Sequence, residues 1–221
     1  VLQQFKADVA PRAAHISWSM AKSITQALFG AALLDGLPID LYGPAPVAAW
    51  NEQPDDPRAA ITIDQMFLMR SGLQWNEDYE GVSNVTQMLF VEGADDRAGF
   101  AASFPLEFEP DTVWEYSTGT SMILGRILAD YIGLGDQGTA WADEHLFGPI
   151  GITTVEHTLD GVGAMSTGSM IDMSAEDFAR FGLLYLRGGT WDGTQIVPAG
   201  WADYARLSSP DAPIYGHHWW I

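Results

Sequence analysis

The segment SWSMAKSITQALFGAALLDG, residues 17–36, holds the longest apolar stretch of the chain, from Ile24 to Leu34. Its spacing predicts an amphipathic helix. Asp35-Gly36 closes it, glycine suiting the left-handed position after a helix, and Leu37-Pro38 stops it. Thr25, Gln26 and Gly30 interrupt the run, and no stretch reaches the roughly 18 to 20 apolar residues that spanning a bilayer requires. One residue is electrostatically out of place. Lys22, which shares the chain's lysine content with Lys6 alone, falls in the first turn, where the positive end of the helix macrodipole disfavours a cation.

Downstream, helical patterns dominate. ITIDQMFLMRSG offers Thr62 or Asp64 as caps, helical spacing at Met66, Phe67 and Met69, and Gly72 as terminator. LQWNEDYEGVSN reads as an irregular loop rich in aromatics and acids, and SNVTQMLFVEG as a helix. A proline-bounded extended segment leads into a helix from near Thr118 to Gly133. DEHLFGPIGI reads as a short helix running into a turn. Ser174, with Asp177 three residues on, has the spacing of a helix-capping pair, and that helix ends at Gly188-Gly189. A short helix follows Pro198. Strand-like residues occur only at the two ends, 1–10 and 215–221, so the chain reads as the mainly helical part (17–210) of one domain with an α/β-type (α+β) fold.

Of the 221 residues, 47% are apolar and 18% charged, ample for a packed core, and the formal net charge is −19. Ten lysines and arginines scattered among so many acids supply no basic patch for nucleic acid or an anionic membrane surface. With no cysteine, disulfides and thiolate chemistry are excluded. No G-x-S-x-G elbow, H-E-x-x-H, P-loop or G-x-G-x-x-G is present. His217 and His218 are adjacent, and on a strand they point to opposite faces, a poor pair of metal ligands. No metal or cofactor is expected.

Ser19 stands three residues before Lys22. On a helix such positions share a face, about 5 to 6 Å apart at Cβ. A serine hydroxyl is a weak nucleophile that needs a base, and an ordinary ammonium is not one. Burial and the positive helix end both disfavour the charged amine, so this placement lowers its pKa. The awkward position becomes useful if Lys22 must be neutral. Chance alone puts some S-x-x-K in roughly one such chain in eight, and it is the position, opening a long apolar helix, that strengthens the pair. Tyr116, at a loop-to-helix junction, is a candidate proton carrier for the serine.

SWSMAKS, WNEDY, WEYST, LFGPIGI, SAEDFARFGLLYLRGGTWDGTQIVP and a closing WW occur together in this order. The set resembles the serine β-lactamase-related hydrolases, the penicillin-binding-protein-like or class C superfamily. Within it the chain is most similar to the branch with esterases and 6-aminohexanoate-dimer hydrolase. The resemblance implies Ser19 as acylated nucleophile, Lys22 as its base partner and Tyr116 as the tyrosine of the second motif. Thr118 stands where the family usually has asparagine or serine. As a substrate-binding residue it can still donate a hydrogen bond to substrate or to Lys22 but lacks an amide's paired donor and acceptor. That disfavours penicillin turnover and leaves ester or amide hydrolysis open. Tyr79 corresponds to a substrate-contacting tyrosine on a loop, and Trp219 or Trp220 to a tryptophan lining the pocket.

The resemblance further implies a cofactor-independent enzyme for a small ester or amide. A β-lactamase or D-alanyl-D-alanine carboxypeptidase, or a penicillin-recognising sensor, is the alternative. Relatives are often exported, which favours a periplasmic or secreted location. The family's third motif, a strand with Lys-Thr-Gly or His-x-Gly, lies beyond the WW segment, so the expectation is a catalytic domain truncated at both ends.

Overall fold

The computed structural model describes residues 4–6 and 8–221. Two long helices form its centre: α1 (Met20–Leu34) and α5 (Thr118–Ile132), which pack on one another. Around them lie α2 (Ile63–Phe67), α3 (Asn84–Phe90), α4 (Arg97–Ala102), α6 (Asp136–Ala142), α7 (Ala175–Leu186) and α8 (Trp201–Ala205). After α6 the chain makes a π-helical turn, Asp143–Phe147, and a 3-10 turn, Gly148–Ile150. The strands are two-residue pieces: β1 (Glu156–His157) pairs antiparallel with β2 (Ile171–Asp172), and β3 (Thr190–Trp191) with β4 (Thr194–Gln195).

The caps follow the sequence. Thr62 and Ser83 each close a reciprocal capping box, with Gln65 and Thr86, and Ser117 accepts from the Thr120 N–H to open α5. Ser174 likewise accepts from the Asp177 N–H at 3.3 Å. The Asp177 carboxylate does not return the bond. It takes the N–H groups of Thr153 and Thr154, the Thr154 hydroxyl and Arg180, tying α7 to the loop before β1.

Three expectations change. α1 is not amphipathic along its centre: every residue from Ile24 to Ala32 is buried, as befits a helix apolar on nearly all sides. Its polar interruptions are hydrogen-bonded, Thr25 to the Thr167 carbonyl at 2.8 Å and Gln26 to the Tyr185 hydroxyl. The strand-like residues are not confined to the ends, since β3 and β4 form a hairpin across Asp192-Gly193, both at positive φ, which is the usual chemistry of a tight two-residue turn. Segment 215–221 is a turn closed by a single Tyr215–Trp220 bridge, with His218 at φ 60°. Part of the 1–10 segment lies outside the described residues, and its described residues carry no strand.

Gly30 lets α8 approach α1. A Cβ there would sit 2.5 Å from the Trp201 indole nitrogen, which donates to the Gln26 carbonyl at 3.1 Å. Gly30→Ala therefore overpacks the core and is expected to destabilise the fold by about 1–3 kcal/mol, read as a lowered midpoint in thermal or urea unfolding. An unchanged midpoint would mean that the α1–α8 contact is loose.

Candidate active site

Ser19 is the N-cap of α1, and its side chain caps no backbone N–H, so the hydroxyl is available for other work. The approach to it is firmly held. The Ser17 hydroxyl donates to the Ser169 carbonyl (2.9 Å), and the Ser17 N–H donates to Asp172 (2.8 Å). Trp18 then turns the chain at φ 43°, a left-handed conformation that costs a bulky residue energy and tends to occur at functional sites. Among the described residues no acceptor takes the Ser19 N–H.

Lys22 lies one turn in, as predicted, and is 1% exposed. Its Nζ is 3.2 Å from Ser19 Oγ, 2.9 Å from Thr118 Oγ1 and 2.8 Å from the Gly168 carbonyl. Burial pulls its pKa down to about 8, with the negative charge of Glu77 working in the opposite direction. This is two units or so below an ordinary lysine, and it places the loss of the proton near physiological pH.

Tyr116 joins the pair. Its ring centroid is 4.9 Å from Lys22 Nζ. Burial pushes its pKa up to about 12, Ser19 lies close enough to the phenol to hold that value down somewhat, and Glu77 adds to the rise. The phenol therefore keeps its proton at neutral pH. Tyr116 belongs to an aromatic group with Trp114, Tyr215 and Trp220, whose ring centroids lie 4.8–6.3 Å apart. A cleft of about 350 Å³ runs past Ser19 between Trp18 and Met20 on one side and Tyr116, Trp219 and Trp220 on the other.

The other predicted residues divide. Trp220 is 57% exposed and tilts against Tyr116 at the cleft. Trp219 reaches the cleft but packs mainly on Tyr185 (4.3 Å) and Phe181 (5.9 Å). Both tryptophans also line a larger apolar groove, about 1320 Å³, along α7 and α8, which contains neither Ser19 nor Lys22. Thr118 is buried and, contrary to expectation, donates neither to the cleft nor to Lys22: its hydroxyl donates to Glu77 and accepts from Lys22. Tyr79 is not among the residues lining the Ser19 cleft and donates to Glu77 at 2.6 Å. His217 and His218 diverge, His217 to Asp64 at 3.1 Å and His218 to Ser121 at 2.9 Å. His218 donates from Nδ1 to the Phe67 carbonyl, and burial depresses its pKa to about 3, so it is neutral beside Lys22.

Two participants are absent from the sequence reading. The Gly168 carbonyl carries no side-chain signal at all. Glu77 sits inside WNEDY, where an acid-rich loop reads as a solvated one. Its carboxylate accepts from the Thr118 N–H (2.9 Å), the Thr118 hydroxyl, the Trp75 indole (2.5 Å) and the Tyr79 hydroxyl.

The chain belongs to the Beta-lactamase family, whose model matches residues 4–220, and it has the β-lactamase/transpeptidase-like fold. It superposes on a Bacillus anthracis protein assigned as a 6-aminohexanoate-dimer hydrolase with a TM-score of 0.79 at 20% identity, over 99% of this chain and 61% of that one. A D-stereospecific amidohydrolase from Streptomyces gives 0.67 at 16% identity, over 95% and 72%. A penicillin-binding protein from Bacillus halodurans gives 0.69 at 15%, over 96% and 70%. Among the described residues no helix is long and apolar enough to cross a membrane. None of the curated proteins matches the chain by sequence.

The chain's two lysines make the buried amine directly observable. With ¹³C-labelled lysine, one ε-carbon signal, lost in Lys22→Ala, is expected to titrate with a midpoint near pH 8. A midpoint at 10 or above would show that burial does not depress Lys22.

Proposed function

We propose that the protein is a serine hydrolase that cleaves an ester or amide bond through a covalent acyl-Ser19 intermediate. The observation that carries this reading is the buried Lys22 amine. It is held by Thr118 and Gly168 and aimed at a serine hydroxyl that no helix cap consumes. The family membership and the likeness to amide-bond hydrolases support it.

Neutral Lys22 takes the Ser19 proton as Oγ bonds to the carbonyl carbon, and the carbonyl electron pair moves to oxygen. The Ser19 N–H is one donor for that oxyanion. The tetrahedral adduct collapses, breaking the bond to the leaving group, which takes the proton back from Lys22 by way of the Tyr116 phenol. Since that phenol stays protonated to about pH 12, it carries protons and is not the base. Water then attacks the acyl ester and its proton passes to Lys22. The adduct collapses by breaking the acyl–Oγ bond, Oγ takes that proton back from Lys22, and the acid leaves with Ser19 and neutral Lys22 restored.

The arrangement at Thr118 bears on the substrate. Its hydroxyl proton is committed to the Glu77 carboxylate and it accepts from Lys22, so it has no hydrogen left for a substrate carbonyl. That argues for simple esters and amides over penicillins.

A fluorophosphonate probe is expected to add one label, seen by intact-mass spectrometry, and Ser19→Ala to add none. Lys22→Ala should slow labelling by about 10²–10⁴. For the native protein the rate should climb with pH and level off above about 8, because only unprotonated Lys22 accepts the proton. Equal labelling of Ser19→Ala, or a rate flat from pH 5 to 9, refutes the assignment.

A further inference from the structure

Four donors converge on one carboxylate at the start of α5. Glu77 Oε1 takes the Thr118 and Tyr79 hydroxyls, and Oε2 takes the Thr118 N–H and the Trp75 indole N–H. Gly119 makes room for this, since a Cβ there would lie 2.6 Å from the Trp75 ring. A carboxylate accepts only, so the Thr118 hydroxyl must donate to it. Thr118 Oγ1 is thereby left to accept from Lys22. The Gly168 carbonyl also only accepts, so Lys22 commits two N–H bonds. Its third position faces Ser19 Oγ at 3.2 Å. In the ammonium that position is an N–H, and in the neutral amine it is the lone pair.

We propose that Glu77 is a positioning residue: by fixing the Thr118 hydroxyl as an acceptor it aims the neutral Lys22 lone pair at Ser19, and it latches the Tyr79 loop to α5. This rests on the serine-hydrolase reading of the same site. Its charge has a second consequence, that of favouring the Lys22 ammonium. The groups facing Lys22 are Ser19 on its own helix, Thr118 on α5, the Gly168 carbonyl, the Tyr116 ring, neutral His218 in the 215–221 turn, and Glu77. Glu77 is the anion among them.

Glu77→Gln is nearly isosteric and separates these effects. With its carbonyl toward the two fixed N–H donors, its amide faces the Thr118 and Tyr79 hydroxyls. The Thr118 hydroxyl must then turn round, presenting its proton to Lys22 and competing with Ser19 for the lone pair.

The test is fluorophosphonate labelling of native protein and Glu77→Gln from pH 5 to 10, with the unfolding midpoint and the Lys22 ε-carbon titration measured on the same samples. We expect the plateau labelling rate to fall on the order of tenfold or more. The acid limb and the Lys22 midpoint should both move to lower pH, by about one unit. A variant that unfolds cooperatively, labels at the native plateau and leaves both midpoints in place overturns the proposal. Thr118→Val keeps the Glu77 charge and removes the hydroxyl relay alone. It should lose plateau rate to a similar degree, and a native rate also overturns the proposal, even if Glu77→Gln fails to fold. If native Ser19 takes no label, the hydrolase reading fails, while the Lys22 midpoint still decides the role of Glu77.

Discussion

The enclosure of one amine organises this protein. A lysine removed from water loses solvation that only good acceptors can replace. The Lys22 Nζ finds them on three separate segments: Ser19 on its own helix, Thr118 at the head of α5, and the carbonyl of Gly168. Each must be brought up and held. The Ser17 bonds to Ser169 and Asp172 anchor the chain before α1 to the segment after Gly168. The Thr25 and Thr167 hydroxyls do the same deeper in, Thr25 to the Thr167 carbonyl and Thr167 to the Ser121 carbonyl. The two central helices are thus joined near the site by polar contacts and elsewhere by apolar packing.

The 215–221 turn forms the adjoining wall by the same economy. Both the backbone N–H and Nδ1 of His218 donate to the Phe67 carbonyl, which ties the turn to α2 despite the left-handed backbone at that histidine. With Nδ1 donating, Nε2 accepts from Ser121. The ring therefore fits as a neutral imidazole, and burial keeps it so. A cation there would disfavour the Lys22 ammonium further, and its Nε2–H would need the Ser121 hydroxyl to turn and accept. Trp219 and Trp220 follow directly, the first locked on Phe181 and Tyr185, the second left at the mouth of the cleft.

Much of this was legible from the residues, for local reasons. Thr62 and Ser174 announced helix starts because capping is a contact within three residues. The Ser19–Lys22 pair was legible because one helical turn sets its spacing. What could not be read depended on partners distant in sequence. Nothing near Thr25 or Gln26 says that Thr167 will accept from the first and Tyr185 donate to the second, so an enclosed helix read as an amphipathic one. Gly168 contributes only its carbonyl. Glu77 lies 41 positions from Thr118, and among acidic neighbours a carboxylate signals solvent until a fold supplies four donors. The Asp192-Gly193 hairpin was local and readable from its turn residues. It was missed because its strands are two residues long, too short for alternation to show.

Thr118 and Glu77 also explain each other. The position needs an acceptor toward Lys22 and a donor toward the loop, and a single hydroxyl fills both roles when an obligate acceptor takes its proton. An amide side chain would supply the same two functions on separate atoms and keep a second N–H for substrate. With threonine, that surplus donor is gone. The remaining lone pair of Thr118 Oγ1 can only accept, so any substrate contact made from this position selects an N–H or O–H rather than a carbonyl. In the proposed mechanism, recognition of the carbonyl under attack then falls to backbone N–H groups, starting with that of Ser19. Under that proposal, threonine at the second motif narrows what the cleft can hold while leaving the proton path through Lys22 intact.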